Sequence, residues 1–348
     1  MSNIEKQTTN RNASSSAYGW CFQIGAGISL MLDREYLKVF SEVKMEGKSD
    51  DIEITLKNGK KIYAQAKSVT QIGYQKNAST NLSNALKVLA EDEQKNGDAL
   101  KLIYITNISN PLSSKLSSAY TFGNTYDFSV LSPNDQKKIT NKAGSNFPAD
   151  KFQLRIIRFF GSTTDQRFQS IKQQIKEFLH DAEEDPSLSG RLFERWFTIL
   201  MGNAADKPDK EQKCTLTKKE LMFSVIATII DPPISETKFN KICTYENYDA
   251  VKQEFRQMID INVCDYQLIT QILTDYSEKK TAMHKADYKF KFTEEEWKNY
   301  EQNFTCITNV EKREAVIKFV LLTIIEKIST IQNIKDAAGL NEVCQVYT

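Results

Sequence analysis

The sequence predicts an α/β protein, a mixed sheet flanked by helices, followed by an all-helical half. Three observations carry this. Residues 42–67 hold two runs of alternating apolar and polar residues around Asn58-Gly59, the strongest short hairpin signal a sequence offers. ALKLIYIT at 99–106 and FQLRIIRFF at 152–160 are short, nearly continuous apolar runs, as strands buried on both faces are. After Pro186 the β-branched alternation stops and only helix-like segments follow.

Taken in order, residues 1–16 (MSNIEKQTTNRNASSS) are polar and rich in Ser, Asn and Thr, which predicts a disordered arm. Between 17 and 33, Phe22, Ala26, Leu30 and Asp33 fall along one helical line. This stretch contains Gly25-Ala26-Gly27, but Leu30 stands where a dinucleotide-binding loop needs its third glycine. Small residues that let the helix lie close on a sheet explain it better. Residues 36–45 read as a strand and 68–80 as a loop with Tyr74, Gln75 and Lys76. The stretch 81–95 is an amphipathic helix (Leu82, Ala85, Leu86, Leu89) stopped by Asn96-Gly97. Residues 107–150 are loop-rich with a short helix at 133–142, and 164–180 is a helix. The helix-like segments of the second half are 191–201, 218–230, 248–259, 266–280, 294–304 and 311–331. This divides the chain at 17–182 and 187–348. The final segment is apolar over more than one face, so it is either central to its own domain or buried against another chain. Central burial is the favoured reading.

Composition narrows the function classes. The 348 residues are 40% hydrophobic and 26% charged with a net charge of +1, ordinary for a soluble globular protein. Such a balance leaves any nucleic-acid surface to a local patch. Six scattered cysteines without a Cys-x-x-Cys pair and two histidines argue against a zinc site. The first residues lack an apolar stretch and no run of about 18 apolar residues occurs, so the expected compartment is the cytoplasm. His180 and His284 have no neighbouring nucleophile in sequence and support no hydrolase triad.

The hairpin is where chemistry is concentrated. Side chains alternate faces along a strand, so Gln65 and Lys67 point the same way. A two-residue loop sets Asp50 across from Lys67. A three-residue loop, a type I turn with Gly59 left-handed, pairs Leu56 with Lys60 and sets Asp51 across from Gln65. The second is favoured because Asp51-Ile52 then places the acid at the strand's edge and the aliphatic in the core; Asp50 is held in reserve. The carboxylate of Asp51, the amide oxygen of Gln65 and the backbone carbonyl of Ala66 are the hard oxygens a Mg²⁺ ion prefers. Lys67 is placed to stabilise a phosphate in transition or to lower the pKa of an attacking water. Glu42 and Glu46 share one face of the preceding strand; Glu46 is a further catalytic candidate and Glu42 a reserve. Gln23 sits as an amide in an apolar helix and needs a partner. Lys48, Lys60, Lys61 and Lys76 lie near the hairpin in sequence and are expected to contact DNA phosphates, though lysines also protect sheet edges.

Asp51 followed by Gln65-Ala66-Lys67 resembles the PD-(D/E)XK restriction-endonuclease-like superfamily, in the Mrr-like variant with glutamine for the middle acid. Gly19-Trp20-Cys21-Phe22-Gln23 before an Ala/Gly-rich helix is similar to the Gly-x-x-Tyr/Phe-Gln motif of a narrower group. These are the defence-associated double-stranded DNA nucleases found with SAVED, STAND or HerA-like partners. The resemblance covers roughly residues 15–160. It implies a restriction-endonuclease-like core, a Mg²⁺- or Mn²⁺-dependent endonuclease acting on DNA, and an antiphage effector. It also implies a helical half that self-associates or docks a partner such as a HerA-like ATPase. Asp51, Gln65, Lys67 and Gln23 are the catalytic residues it implies, beside Glu46 as the candidate from its strand position. No Gly-x-x-x-x-Gly-Lys-Ser/Thr loop occurs, so a motor belongs to another polypeptide. The rival expectation is a non-catalytic nucleic-acid-binding or adaptor subunit.

Overall fold

The computed structural model describes residues 13–45, 51–70, 78–112, 120–144, 146–205, 215–231, 233–245, 247–261, 263–280 and 288–340. The chain divides into two compact units. One takes the chain up to Glu177 and again Phe193–Lys218; the other takes Phe178–Leu192 and the described chain from Lys219 onward.

The first unit is built on a mixed seven-stranded sheet. Its elements are α1 (Ala13–Met31), β1 (Phe40–Met45), β2 (Ile52–Leu56), β3 (Lys61–Lys67), α2 (Ala78–Asn96) and β4 (Ala99–Thr106). After these come β5 (Thr125–Asp127), α3 (Pro133–Ala143), β6 (Phe152–Ile156), α4 (Thr164–Arg167), α5 (Gln169–Asp181), α6 (Ser189–Ala205) and β7 (Thr215–Thr217). The spatial order is β5-β6-β4-β3-β2-β1-β7. β1, β2 and β3 form an antiparallel meander, α2 carries the chain to a parallel β4, and β6 lies parallel beyond it.

The Asn-Gly turn takes the three-residue form. Leu56 N–H donates to the Lys60 carbonyl at 2.8 Å and Gly59 N–H to the Leu56 carbonyl at 2.9 Å, with Gly59 at φ 80°. This is a type I turn closed by a left-handed glycine. The register Ile52↔Ala64, Ile54↔Ile62 follows from it.

Helices cover both faces. Leu82, Leu86 and Leu89 of α2 and Ile139 of α3 pack with Tyr63, Leu102, Tyr104, Leu154 and Ile156 of the sheet. Residues 153 and 155 therefore face the other way, where Arg155 pairs with Asp33 at 2.6 Å and its Nη2 donates to Ser29 Oγ just before α1 ends. Tyr36 donates to Gln153 on that side too. Gly27 packs closely there: a Cβ on it would come within 2.9 Å of Met45 Sδ, so that side chain would have to shift. The small residues of α1 serve close packing, as their sequence setting predicts.

Several boundaries differ from the sequence reading. Ala13–Ser16 belong to α1, while the rest of the expected arm lies outside the described residues. The strand expected at 36–45 starts only at Phe40, because the preceding backbone closes turns on itself: Leu37 N–H donates to the Asp33 carbonyl at 2.7 Å and Phe40 N–H to the Tyr36 carbonyl at 2.9 Å. The strand at 152–160 ends at Ile156. β5 and β7 are unforeseen three-residue edge strands, too short to show a period. β7 pairs with β1 through Glu42↔Thr217 and Val43↔Leu216, so the region after 187 is not helical throughout.

The second unit is helical. It contains α7 (Lys218–Ile229, bar its first residue), α8 (Glu236–Phe239), α9 (Tyr248–Asp260), α10 (Tyr266–Lys280) and α11 (Tyr288–Glu296), then a 3₁₀ turn over Trp297–Phe304. α12 (Val310–Glu326) and α13 (Ile328–Ala337) complete it. The segment expected as one helix at 311–331 breaks at Lys327. α12 is central: all residues from Ala315 to Ile325 except Lys318 are buried. Phe319 meets Phe239, Phe255 and Tyr248 at centroid distances of 5.7, 5.4 and 5.9 Å. An apolar surface on every side of a helix requires such burial. Among the described residues no helix is long and apolar enough to cross a membrane.

Candidate active site

The hairpin register brings three of the expected residues together. One step beyond Ile52↔Ala64, Asp51 stands across from Gln65, and Lys67 follows on the same face. Lys67 Nζ lies 3.0 Å from Asp51 Oδ2 and 3.5 Å from Oδ1. Asp51 is 9% exposed and Gln65 2%, while the Lys67 side chain keeps 32% of its surface. An acid and an amide are thus held in the protein, with an ammonium group at the rim.

Backbone hydrogen bonding explains how Asp51 is oriented. Leu56/Lys60, Ile54/Ile62 and Ile52/Ala64 are the hydrogen-bonding pairs of this antiparallel ladder. The next N–H in that series belongs to Ala66, and it donates to Asp51 Oδ2 at 2.8 Å. The Asp51 carboxylate therefore terminates the ladder where β2 has ended and is fixed by a backbone donor and an ammonium at once. On the other side of β3 the parallel register sets Gln65 beside Tyr104 and Lys67 beside Thr106. Burial pushes the Tyr104 hydroxyl well above the usual tyrosine range, so an uncharged group backs the site.

Other expected residues fall elsewhere. Gln23 lies on α1, over the sheet face opposite to that of Tyr63, Gln65 and Lys67. It is only half-buried and makes no hydrogen bond to Asp51 or Lys67, so its amide is not enclosed as expected. Glu42 pairs with Thr55, four residues along β2 from Asp51, or about 13 Å. It belongs to the turn end of the sheet, where its charge helps hold the Lys61 ammonium; it is not part of the site. Lys61 sits 3.0 Å from Glu53 and 3.8 Å from Asp98, and Lys60 is exposed in the turn. β3 spans six residue steps between Lys61 and Lys67, about 20 Å, so neither lysine shares a phosphate with Lys67. Closeness in sequence misled because a strand separates its two ends. Glu46, Lys48, Asp50 and Lys76 lie outside the described residues.

Among the described residues no group of three or more His, Cys, Asp or Glu side chains gathers as a metal site. Asp51, Gln65 and the backbone carbonyl of Ala66 are the oxygen groups at this end of β3, and a Mg²⁺ ion keeps most of its waters and takes few protein oxygens. No family model, curated protein or solved structure matches the chain.

Proposed function

We propose that the first unit is a restriction-endonuclease-like domain that hydrolyses DNA phosphodiester bonds with Mg²⁺ or Mn²⁺. The observation that carries this reading is Asp51 across from Gln65 with Lys67 Nζ 3.0 Å from the Asp51 carboxylate, at the end of a hairpin strand that continues through α2 into a parallel partner. Asp51, Gln65 and the Ala66 carbonyl would hold the ion. When bound, such an ion acidifies a coordinated water and offsets phosphate charge. The Ala66 N–H keeps the Asp51 carboxylate in one orientation. Lys67, at the rim, places a positive charge where negative charge builds on the phosphorus in transition, the kind of preorganised stabilisation that counts most when water is excluded. Lys60 reaches DNA only where a duplex runs along the hairpin, about seven base pairs from the Lys67 end at about 3.4 Å per step.

With a net charge of only +1 over the chain, the domain gains its hold on double-stranded DNA through assembly. The helical unit supplies it by self-association or by docking a partner such as a HerA-like ATPase, in an antiphage effector. The second reading, a non-catalytic nucleic-acid-binding or adaptor subunit, is favoured by one observation: the Asp51 carboxylate already caps the sheet ladder through Ala66, a purely architectural use. Incubation with double-stranded DNA and Mg²⁺, at a protein concentration that drives self-association, decides between them. Cleavage that a chelator and Asp51→Asn each abolish supports the nuclease. DNA left intact refutes it.

A further inference from the structure

The residue after β4 holds the backbone that presents Lys67. Asn107 is fully buried at 0% exposure. Its Nδ2 donates to the Val69 carbonyl at 2.7 Å, and its Oδ1 accepts the Val69 N–H at 2.7 Å. A donor and an acceptor offered together to one residue's N–H and C=O are what a neighbouring strand would supply. The parallel β3–β4 register ends at Lys67↔Thr106, and the Asn107 carboxamide carries the pairing two residues further. Nδ2 also lies 3.2 Å from the Phe159 carbonyl and 3.3 Å from the Tyr18 hydroxyl. Tyr18 in turn donates to that carbonyl. The amide is thereby fastened from α1 and from the segment after β6. Burial holds the Tyr18 hydroxyl up to about 12, so it remains a donor.

Lys67 gains from such a support because, among the described residues, β2 last pairs with β3 at Ile52↔Ala64. Beyond that point the β2 side of β3 is held by the Asp51 side chain at Ala66, and the chain after Lys67 by Asn107 at Val69. Lys67 is bracketed between two side-chain-to-backbone attachments. We infer that Asn107 is a positioning residue of the candidate site: it sets the backbone from which Lys67 faces Asp51. The inference rests on the nuclease reading. Few substitutes can do this: Asp matches the shape but loses the donor, and Gln is one methylene too long.

The test is Asn107→Asp in the full chain, with folding confirmed by circular dichroism and thermal unfolding. Turnover of double-stranded DNA is expected to fall at least tenfold while KM changes less than twofold. The variant-to-unaltered ratio of turnover is expected to rise between about pH 8 and about pH 6, because a buried carboxyl takes up a proton in that range and regains a donor. Amide exchange in the peptide 66–70 is expected to quicken, with that of α12 unchanged. Undiminished turnover in the folded variant, or unaltered exchange at 66–70, overturns the inference and leaves the nuclease reading standing. A change in KM alone, or a flat pH ratio, also overturns it, since a general structural role would give that. Absence of cleavage by the unaltered protein overturns the nuclease reading, and the inference with it.

Discussion

On the nuclease reading Asp51 carries two duties, and substitution separates them. Asp51→Ala deletes the acceptor of the Ala66 N–H, which stands in a residue only 3% exposed. A buried donor left without a partner costs about 1–3 kcal/mol. Loss of the pair with Lys67, whose side chain is 32% exposed, adds no more than about 1 kcal/mol after solvent screening. The sum is about 1–4 kcal/mol, most of it from the orphaned donor. Asp51→Asn keeps a carbonyl oxygen for Ala66 and forfeits only the charge pair, so it costs under about 1 kcal/mol. Both changes abolish cleavage on the nuclease reading, while only one unsettles the fold. The chain has two units and does not lend itself to a single two-state analysis. Replacing Trp297 by Phe leaves Trp20 and Trp196 to report on the first unit in urea. Equal destabilisation by Ala and Asn, or none by either, would refute the capping argument.

Three further outcomes follow from the packing. Gly59→Ala forces a side chain into φ 80° with nothing nearby to compensate; strain of about 1 kcal/mol should appear in the same urea titration. Asp135 is held below the usual carboxylate range: burial opposes its charge, but hydrogen bonds from Tyr120, Ser132 and Lys138 outweigh that. Its folded pKa being depressed, it adds stability above the unfolded value of about 4, and this is lost as pH falls through the folded value. Asp135→Asn should therefore flatten the acid limb of a stability profile below about pH 4, and an unchanged limb would count against the assignment. Phe319→Ala removes a ring at 0% exposure packed on three others, at about 3–5 kcal/mol, so the Trp297 signal of the helical unit should melt early while the first unit holds.

Much of the sheet was legible because its signals are local. Asn58-Gly59 and the alternation on either side mark the hairpin but admit two turns; the three-residue turn that forms is what sets Asp51 rather than a neighbour across from Gln65. Buried β4 and β6 announce themselves as apolar runs. β7 could not be read: Thr215–Thr217 becomes a strand only because the β1 edge offers it partners. The site was legible only in part. Gln23 lies at a helical spacing that shows it near apolar residues but not which sheet face its helix covers. Lys60 and Lys61 are near Lys67 in number, and only the extended length of β3 shows them far from it. Asn107 has a sequence signal of its own, a polar residue directly after the run ALKLIYIT where a buried strand gives way to a loop. Its function depends on Val69 and Phe159, which come close only when three strand ends are aligned.

The central claim is that chemistry resides at the Lys67 end of β3 and nowhere else along the hairpin. Cleavage of double-stranded DNA with Mg²⁺ by folded Lys67→Ala and folded Lys60→Ala proteins, compared side by side, tests it most directly. Lys67→Ala should lose cleavage by at least about a hundredfold, the scale of removing one transition-state charge donor, while Lys60→Ala retains it within a fewfold. Full cleavage by Lys67→Ala, or a dead Lys60→Ala enzyme, would contradict the account.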